Sequence, residues 1–146
     1  MILIAWARRR SRPCLGADVN LLLDTHVLLW AAAGSDKLPT EAADLINDPS
    51  NRLYFSAASI WEVVIKNSLQ RADFHVDPHL LRRGLIDNGY EELAISASHT
   101  LGVSHLPPIH KDPFDRLLVA QVEAEGFLLL TADALVAQYP GPIQHV

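Results

Sequence analysis

The sequence predicts an α/β fold in which helices cover a mostly parallel β-sheet. From Asn20 onward, short apolar runs typical of buried strands alternate with longer segments of helical periodicity, which is the pattern of βα units. The 146 residues are 49% hydrophobic and 20% charged. That composition can build one core, and the chain is too short for two. We therefore expect a single domain over residues 19–146.

The first half of this domain is predicted to contain two strands and three helices. In chain order, they are NLLLD (strand), THVLLWAAAG (helix), LPTEAADLINDP (helix), RLYFSA (strand) and residues 59–70 (helix). Gly34 is the expected stop of the first helix, and Pro39 lies at the start of the second. Either Ser59 or Ser56 is expected to cap the third helix.

The second half continues the alternation and ends in a short edge strand. Its segments are DPHLLRRGLIDNGY (helix and turn), EELAI (strand), SASHTLGVSHLPPIH (short helix and loop), DPFDRLLVAQVEAEG (helix), FLLLT (strand) and GPIQHV (edge strand). The clearest helix start has Asp112 as N-cap, Pro113 at the first helical position and Asp115 in the first turn. Gly126 is expected to end that helix.

Residues 1–18 differ from the rest because they contain three consecutive arginines and no clean period. We expect them to lie outside the core, as a basic arm that touches a partner or nucleic acid, or as a frayed tail. A third reading places the true start of translation near Val19. The single cysteine, Cys14, excludes an intrachain disulfide framework and multi-cysteine metal sites, and it fits a reducing cytoplasm.

Charge and hydropathy exclude two further classes of protein. The net charge is −5, so no global basic field draws the chain to nucleic acid. The apolar stretch from Val19 to Ala33 is interrupted by Asp24 and His26 and is too short to span a membrane. The N-terminal apolar segment precedes the arginines, the reverse of a secretory signal. We expect neither a membrane helix nor secretion.

Four acidic residues stand where predicted strands end or helices begin. Asp24 ends the first strand, and Glu62 lies in the helix that follows the second. Asp115 opens the DPFD helix, and Asp133 follows the strand FLLLT. Ligands of open α/β sheets gather at the carboxyl ends of the strands. The four carboxylates are therefore expected to meet in one pocket.

Such a cluster predicts a divalent cation. Neighbouring carboxylates raise one another's pKa, and a bound cation is the usual compensation. Ligation by oxygen alone suits Mg²⁺ or Mn²⁺. Ions of this kind activate water for attack on phosphodiesters, so the predicted chemistry is phosphodiester hydrolysis with one or two ions.

Each acid also has a purely structural reading. Asp24 could cap the following helix, Glu62 could be a solvated helix residue, and Asp112 is explained first as a cap. Asp115 could serve only to complement the helix dipole, and Asp133 could be a turn residue. Acids at the same end of nearly every strand nevertheless favour a shared site.

Other polar residues carry weaker signals. The seven histidines show no paired zinc spacing, so we expect structural or surface roles for them. Lys111 and Arg116 could contact phosphate or form local ion pairs. The chain has neither a nucleophile elbow nor a glycine-rich phosphate loop, which argues against acyl transfer and nucleotide hydrolysis.

Four segments resemble, in order, the successive motifs of the PIN-domain ribonucleases, specifically the VapC toxins of toxin–antitoxin pairs. They are LLLDTHVLLWA, SAASIWEVVIK, HKDPFDRLLVAQ and LLLTADALVAQYPG, and the similarity spans about residues 20–146. The resemblance implies a three-layer α/β/α sandwich and an endoribonuclease dependent on Mg²⁺ or Mn²⁺. It also implies neutralisation by a cognate VapB-type antitoxin, and homodimerisation.

The resemblance also implies roles for particular residues. The four family acids are matched, in order, by Asp24, Glu62, Asp115 and Asp133. Thr131 matches a position where Ser or Thr supports the site. Asp112 matches a less certain neighbour of the acids and is interpreted first as a cap.

Two alternatives to an RNA-cleaving toxin remain. One is a catalytically silent PIN-like protein that acts only by binding, and the intact set of acids argues against it. The other is a receiver-type module in which an aspartate accepts phosphate. It is disfavoured because no lysine follows the last buried strand. The sequence contains no recognisable RNA-binding module, so it does not indicate which class of RNA is the target.

Overall fold

The computed structural model describes residues 19–69 and 75–146, so the predicted N-terminal extension and Cys14 lie outside the described residues. Its centre is one five-stranded sheet in the order β3-β2-β1-β4-β5, with every pairing parallel. The strands are β1 (Asn20–Leu23), β2 (Arg52–Ser56), β3 (Glu91–Leu93), β4 (Leu128–Thr131) and β5 (Ile143–His145). The predicted α/β class and the edge strand near the C-terminus are confirmed.

Among the described residues, six α-helices connect or follow these strands. They are α1 (Thr25–Ala33), α2 (Thr40–Asn47), α3 (Ala57–Ser68), α4 (Pro78–Asp87), α5 (Ala97–Gly102) and α6 (Pro113–Glu125). As predicted, Gly34 and Gly126 end α1 and α6, with φ values of 61° and 71° that suit glycine. Within residues 19–69 and 75–146, no helix is long and apolar enough to cross a bilayer.

Helix α3 begins earlier than the helix predicted over residues 59–70. Ser56 is its N-cap, and the serine hydroxyl accepts a hydrogen bond from the Ala58 N–H at 3.0 Å. Of the two serines considered as caps, Ser56 therefore takes the role. The early start leaves no loop between β2 and α3 and brings the first turn of α3 directly to the end of the sheet.

The core forms two apolar layers, one on each face of the sheet. Leu21 and Leu23 of β1 point into the layer that includes side chains of α1, α2 and α4. Leu22 points into the opposite layer, where it packs with Leu118 and Val122 of α6. Strands covered on both faces are expected to be largely apolar, as the three successive leucines of β1 and of β4 are. The arrangement is the predicted α/β/α sandwich.

The strand order places a crevice at the carboxyl end of β1. The chain runs outward from β1 to β2 and β3, and then returns to place β4 on the other side of β1. Leu23 pairs with Leu130 in parallel register, and the Asp24 N–H donates to the Leu130 carbonyl at 3.0 Å. Such a reversal of strand order is where open α/β sheets bind ligands.

Candidate metal centre

Asp24 lies directly at this crevice. It follows β1 and caps α1, where its Oδ1 accepts a hydrogen bond from the Val27 N–H at 2.9 Å. Its Oδ2 accepts a second hydrogen bond from the Thr131 hydroxyl. The residue is only 3% exposed, and burial raises the pKa of the carboxyl despite the hydrogen bonds that lower it. Asp24 is thus a helix cap and also a buried acid at the edge of the sheet.

Thr131 links the ends of β1 and β4. Its hydroxyl donates to Asp24 Oδ2 and accepts from the Asp133 N–H at 3.0 Å, and the side chain is fully buried. One hydroxyl thereby fixes the orientation of Asp24 and the start of the turn that carries Asp133. This contact gives a physical basis for the supporting role that the resemblance implies for Thr131.

We expect Thr131→Val to lower the free energy of unfolding by about 1–3 kcal/mol, because it leaves a buried carboxylate oxygen without its donor. Urea denaturation would measure the change. Thr131→Ser keeps the hydroxyl and is the matched control, which should lose less. Equal stability of the valine variant and the unaltered protein would contradict the proposed link.

Asp112 and Asp115 stand together at the start of α6. Asp112 is the N-cap, as predicted, and its Oδ1 accepts from the backbone N–H groups of Phe114 at 2.8 Å and Asp115 at 3.4 Å. Burial, together with the charges of Asp112, Asp24 and Glu62, raises the pKa of Asp115 to about 7, against a smaller lowering by His110. Asp24, Glu62 and Asp112 therefore lie close enough to Asp115 to act on its charge.

Glu62 enters the site from α3. It is 5% exposed, and its Oε2 is paired with Lys66 Nζ at 2.8 Å. Its Oε1 is buried and has no hydrogen-bond partner among the described residues. A buried carboxylate oxygen without a partner calls for an explanation such as an ion. The reading of Glu62 as a solvated helix residue is wrong.

Asp133 is held by the turn after β4. Its Oδ1 accepts from the N–H groups of Leu135 at 2.8 Å and Val136 at 3.4 Å, and its Oδ2 lies 3.2 Å from His110 Nε2. Burial raises the pKa of Asp133, but these hydrogen bonds outweigh that effect and hold the pKa below its ordinary value. The turn role considered for Asp133 is therefore observed, together with a contact to the site.

His110 lies at the site although it was not predicted there from the sequence, where all the histidines were expected to be structural or surface groups. Its Nε2 lies 3.4 Å from Asp115 Oδ2 as well as 3.2 Å from Asp133 Oδ2. The three residues offer ligand atoms that all lie within 4.8 Å of one another. The available signal was its position, two residues before the cap Asp112 in a loop that follows two prolines.

Arg116 has neither of the two roles considered for it. Its Nη1 donates to the Pro107 carbonyl at 3.0 Å and to Tyr139 Oη at 3.1 Å, and its Nη2 donates to the Val103 carbonyl at 3.2 Å. The guanidinium therefore braces the loop before α6 and is not directed to a phosphate. Lys111, in contrast, is exposed.

A surface groove adjoins the acids. Its volume is about 410 Å³, and it is lined by Glu62, Ile65, Lys66, Leu69, Lys111, Asp112, Pro113 and Phe114. At its side, the exposed Trp61 ring meets Phe114 edge to face, with 6.4 Å between ring centroids. The groove is thus lined by two lysines (Lys66 and Lys111), by two of the acids (Glu62 and Asp112) and by apolar side chains.

The fold and the site together define an α/β protein with an acidic centre at the carboxyl edge of a parallel sheet. Residues 21–141 match the family described as PIN domain. The chain therefore belongs to the PIN domain family. Membership of this family indicates nuclease activity.

Two solved structures share the fold. One is the crystal structure of VapBC2 from Rickettsia felis bound to a DNA fragment from their promoter, with 16% identity and a TM-score of 0.61. The other is DNA-bound VapBC from Salmonella typhimurium, with 13% identity and a TM-score of 0.59. Each match covers 87% of this chain and 98% of the other chain. A comparison with curated protein sequences gave no match.

Proposed function

We propose that this protein is a VapC-type toxin, an endoribonuclease that hydrolyses RNA phosphodiester bonds with Mg²⁺ or Mn²⁺. The observation that carries the proposal is the convergence of acids at the carboxyl edge of the sheet, where Asp24 is buried and Glu62 Oε1 has no hydrogen-bond partner among the described residues. The charges of these acids, with burial, raise the pKa of Asp115 to about 7. A divalent cation compensates the charge of acids held so close together, and ligation by oxygen suits the hard ions Mg²⁺ and Mn²⁺.

The side chains at the site fit such an ion. Asp24 and Asp115 offer carboxylate oxygens, and Glu62 contributes a buried oxygen that has no hydrogen-bond partner among the described residues. Asp133 adds a fourth carboxylate at the edge of the cluster. Oxygen donors of this kind suit Mg²⁺ and Mn²⁺. When bound, the ion supplies activation of water and neutralisation of charge on the phosphate.

The protein's own residues prepare the site in two ways. The Val27 N–H and the Thr131 hydroxyl hold both oxygens of Asp24 in a fixed orientation. The carboxylate is therefore already ordered before a cation or substrate binds. Asp115, with a pKa of about 7, must release a proton to act as a ligand. Cation binding is therefore expected to be weaker below neutral pH.

The groove supports RNA as the substrate. Lys111 is exposed beside Asp112, and Lys66, which is paired with Glu62, also lines the groove. Because the protein has a net charge of −5, contact with the phosphates of RNA depends on local basic groups such as Lys111. The exposed ring of Trp61 can stack on an unpaired base.

We expect Lys111→Ala to raise the KM for RNA about three- to tenfold with little change in kcat, because one phosphate contact is lost. The slope of log affinity against log salt should also fall by about 0.7 for a single strand. Lys37→Ala, an exposed lysine between α1 and α2, is the matched control. An unchanged KM and salt slope would exclude Lys111 from the RNA path.

We also propose a VapB-type antitoxin as the partner, and a homodimer as the state of the toxin. The structural relatives are VapBC complexes bound to DNA, and the acidic pocket can receive a basic segment of a partner. Co-expression with the cognate antitoxin should relieve growth arrest and yield a complex that no longer cleaves RNA.

The direct test incubates the purified protein with labelled total RNA in Mn²⁺, Mg²⁺ or EDTA. We expect discrete products with either ion and none in EDTA, with activity restored when Mn²⁺ is added back. Intact RNA after incubation with a folded, Mn²⁺-saturated protein would contradict the proposal and favour a silent binding protein.

A further inference from the structure

His110 joins two acids that come from different parts of the fold. Asp115 belongs to the first turn of α6, whereas Asp133 belongs to the turn after β4. His110 Nε2 lies 3.4 Å from Asp115 Oδ2 and 3.2 Å from Asp133 Oδ2. A cluster of one histidine and two carboxylates would ordinarily be interpreted as three ligands of one ion.

The other ring nitrogen argues against that interpretation. The Asp112 N–H donates a hydrogen bond to His110 Nδ1 at 3.0 Å. A nitrogen that accepts a hydrogen bond carries no hydrogen, so the imidazole hydrogen lies on Nε2. Nε2 therefore carries the hydrogen that it donates to Asp133, and it has no free lone pair for an ion.

The backbone of His110 is fixed as firmly as its ring. The His110 N–H donates to Tyr139 Oη at 2.8 Å, and the Tyr139 hydroxyl donates to the His110 carbonyl at 3.3 Å. Arg116 Nη1 donates to the same hydroxyl oxygen at 3.1 Å. Because Tyr139 is buried, at 3% exposure, the loop that carries His110 is anchored to the core.

We propose that His110 is a positioning residue of the metal centre and does not bind the ion itself. Its Nε2–H donates to Asp133 Oδ2, and Nε2 also faces Asp115 Oδ2 at 3.4 Å, so the ring sets the position of Asp133 beside Asp115. Ligation through Nε2 would require the ring hydrogen to move to Nδ1, where it would face the Asp112 N–H. The inference rests on the proposed function, because the ion is the one that the acids are proposed to hold.

Two substitutions separate the functions of the two ring nitrogens. His110→Gln places an amide nitrogen near the position of Nε2, so a donor to the carboxylates is kept. His110→Asn places an oxygen near the position of Nδ1, so the Asp112 N–H keeps its acceptor and the donor is lost. We expect the Kd for Mn²⁺ to rise about tenfold or more in His110→Asn and to stay near that of the unaltered protein in His110→Gln.

Calorimetric titration with Mn²⁺ measures these affinities, and thermal unfolding shows whether each variant is folded. His105→Asn, an exposed histidine in the same loop region, is the matched control and should bind Mn²⁺ normally. A His110→Asn variant that is folded and binds Mn²⁺ as tightly as the unaltered protein would overturn the proposal.

Two spectroscopic readouts distinguish positioning from ligation without reference to activity. Pulsed electron paramagnetic resonance of the Mn²⁺-loaded protein should show no coupling to an imidazole nitrogen. Long-range ¹H–¹⁵N spectra of the metal-free protein should place the His110 hydrogen on Nε2. An imidazole coupling that disappears in His110→Gln, or a hydrogen on Nδ1, would overturn the proposal even if His110→Asn fails to fold.

The same titrations separate this inference from the proposed function. If the unaltered protein does not bind Mn²⁺, or if Asp24→Asn binds it equally well, the proposed metal centre and the role of His110 are both overturned. If Asp24→Asn loses Mn²⁺ and folded His110→Asn does not, only the role of His110 is overturned.

Discussion

Asp24→Asn is expected to reduce metal-dependent RNA cleavage by at least about 10³-fold in kcat/KM, because it removes one charged ligand from the proposed centre. Asp24 is only 3% exposed, so solvent screens its charge little. The asparagine oxygen can still accept from the Val27 N–H and cap α1. The fold is therefore expected to survive, and toxicity in growing cells should disappear with the activity.

The matched control for this variant is Asp44→Asn. Asp44 is an exposed acid on α2, so its substitution makes the same change of charge away from the crevice. It should leave cleavage unchanged. Circular dichroism and thermal unfolding should show that both variants are folded. Cleavage by Asp24→Asn at the rate of the unaltered protein would remove Asp24 from the centre.

Asp115→Asn is expected to abolish cleavage and also to stabilise the metal-free protein at high pH. The pKa of Asp115 is raised from 3.8 to about 7, so folding favours its protonated form. Its contribution to stability is fully present below pH 3.8 and is lost as the pH rises through about 7. Asparagine does not titrate, so at pH 8 the variant should be more stable by about 2 kcal/mol after allowance for solvent screening.

Urea denaturation of both proteins between pH 5 and pH 8 would measure this difference, which should grow as the pH rises. Saturating Mn²⁺ should stabilise the unaltered protein and stabilise Asp115→Asn much less. A difference in stability that does not change with pH would contradict the raised pKa. An equal Mn²⁺ effect in both proteins would remove Asp115 from the proposed ligands.

Much of the fold could be predicted because local signals agreed with the global arrangement. Asp112, Pro113 and Gly126 mark the two ends of α6 by chemistry that acts within a single turn of helix. The buried strands are also evident, since a sheet covered on both faces requires uninterrupted apolar runs. The start of α3 was less predictable, because Ser56 and Ser59 are both competent caps.

The candidate site was predictable only in part. A parallel sheet brings its strand ends to one edge, so Asp24 and Asp133 could be expected there from order alone. The contacts of His110 and Arg116 could not, because both depend on the irregular segment between α5 and α6. Their partners include Tyr139, which lies 23 or more residues away in sequence. No periodic pattern reports such contacts.

The most direct test of the metal centre is an anomalous difference map from crystals soaked in Mn²⁺. We predict a peak about 2 Å from carboxylate oxygens of Asp24 and Asp115, with His110 Nε2 outside bonding distance of the ion and still donating to Asp133. No peak at the carboxyl edge of β1 and β4 in Mn²⁺-saturated crystals, or a peak held by other residues, would contradict the account.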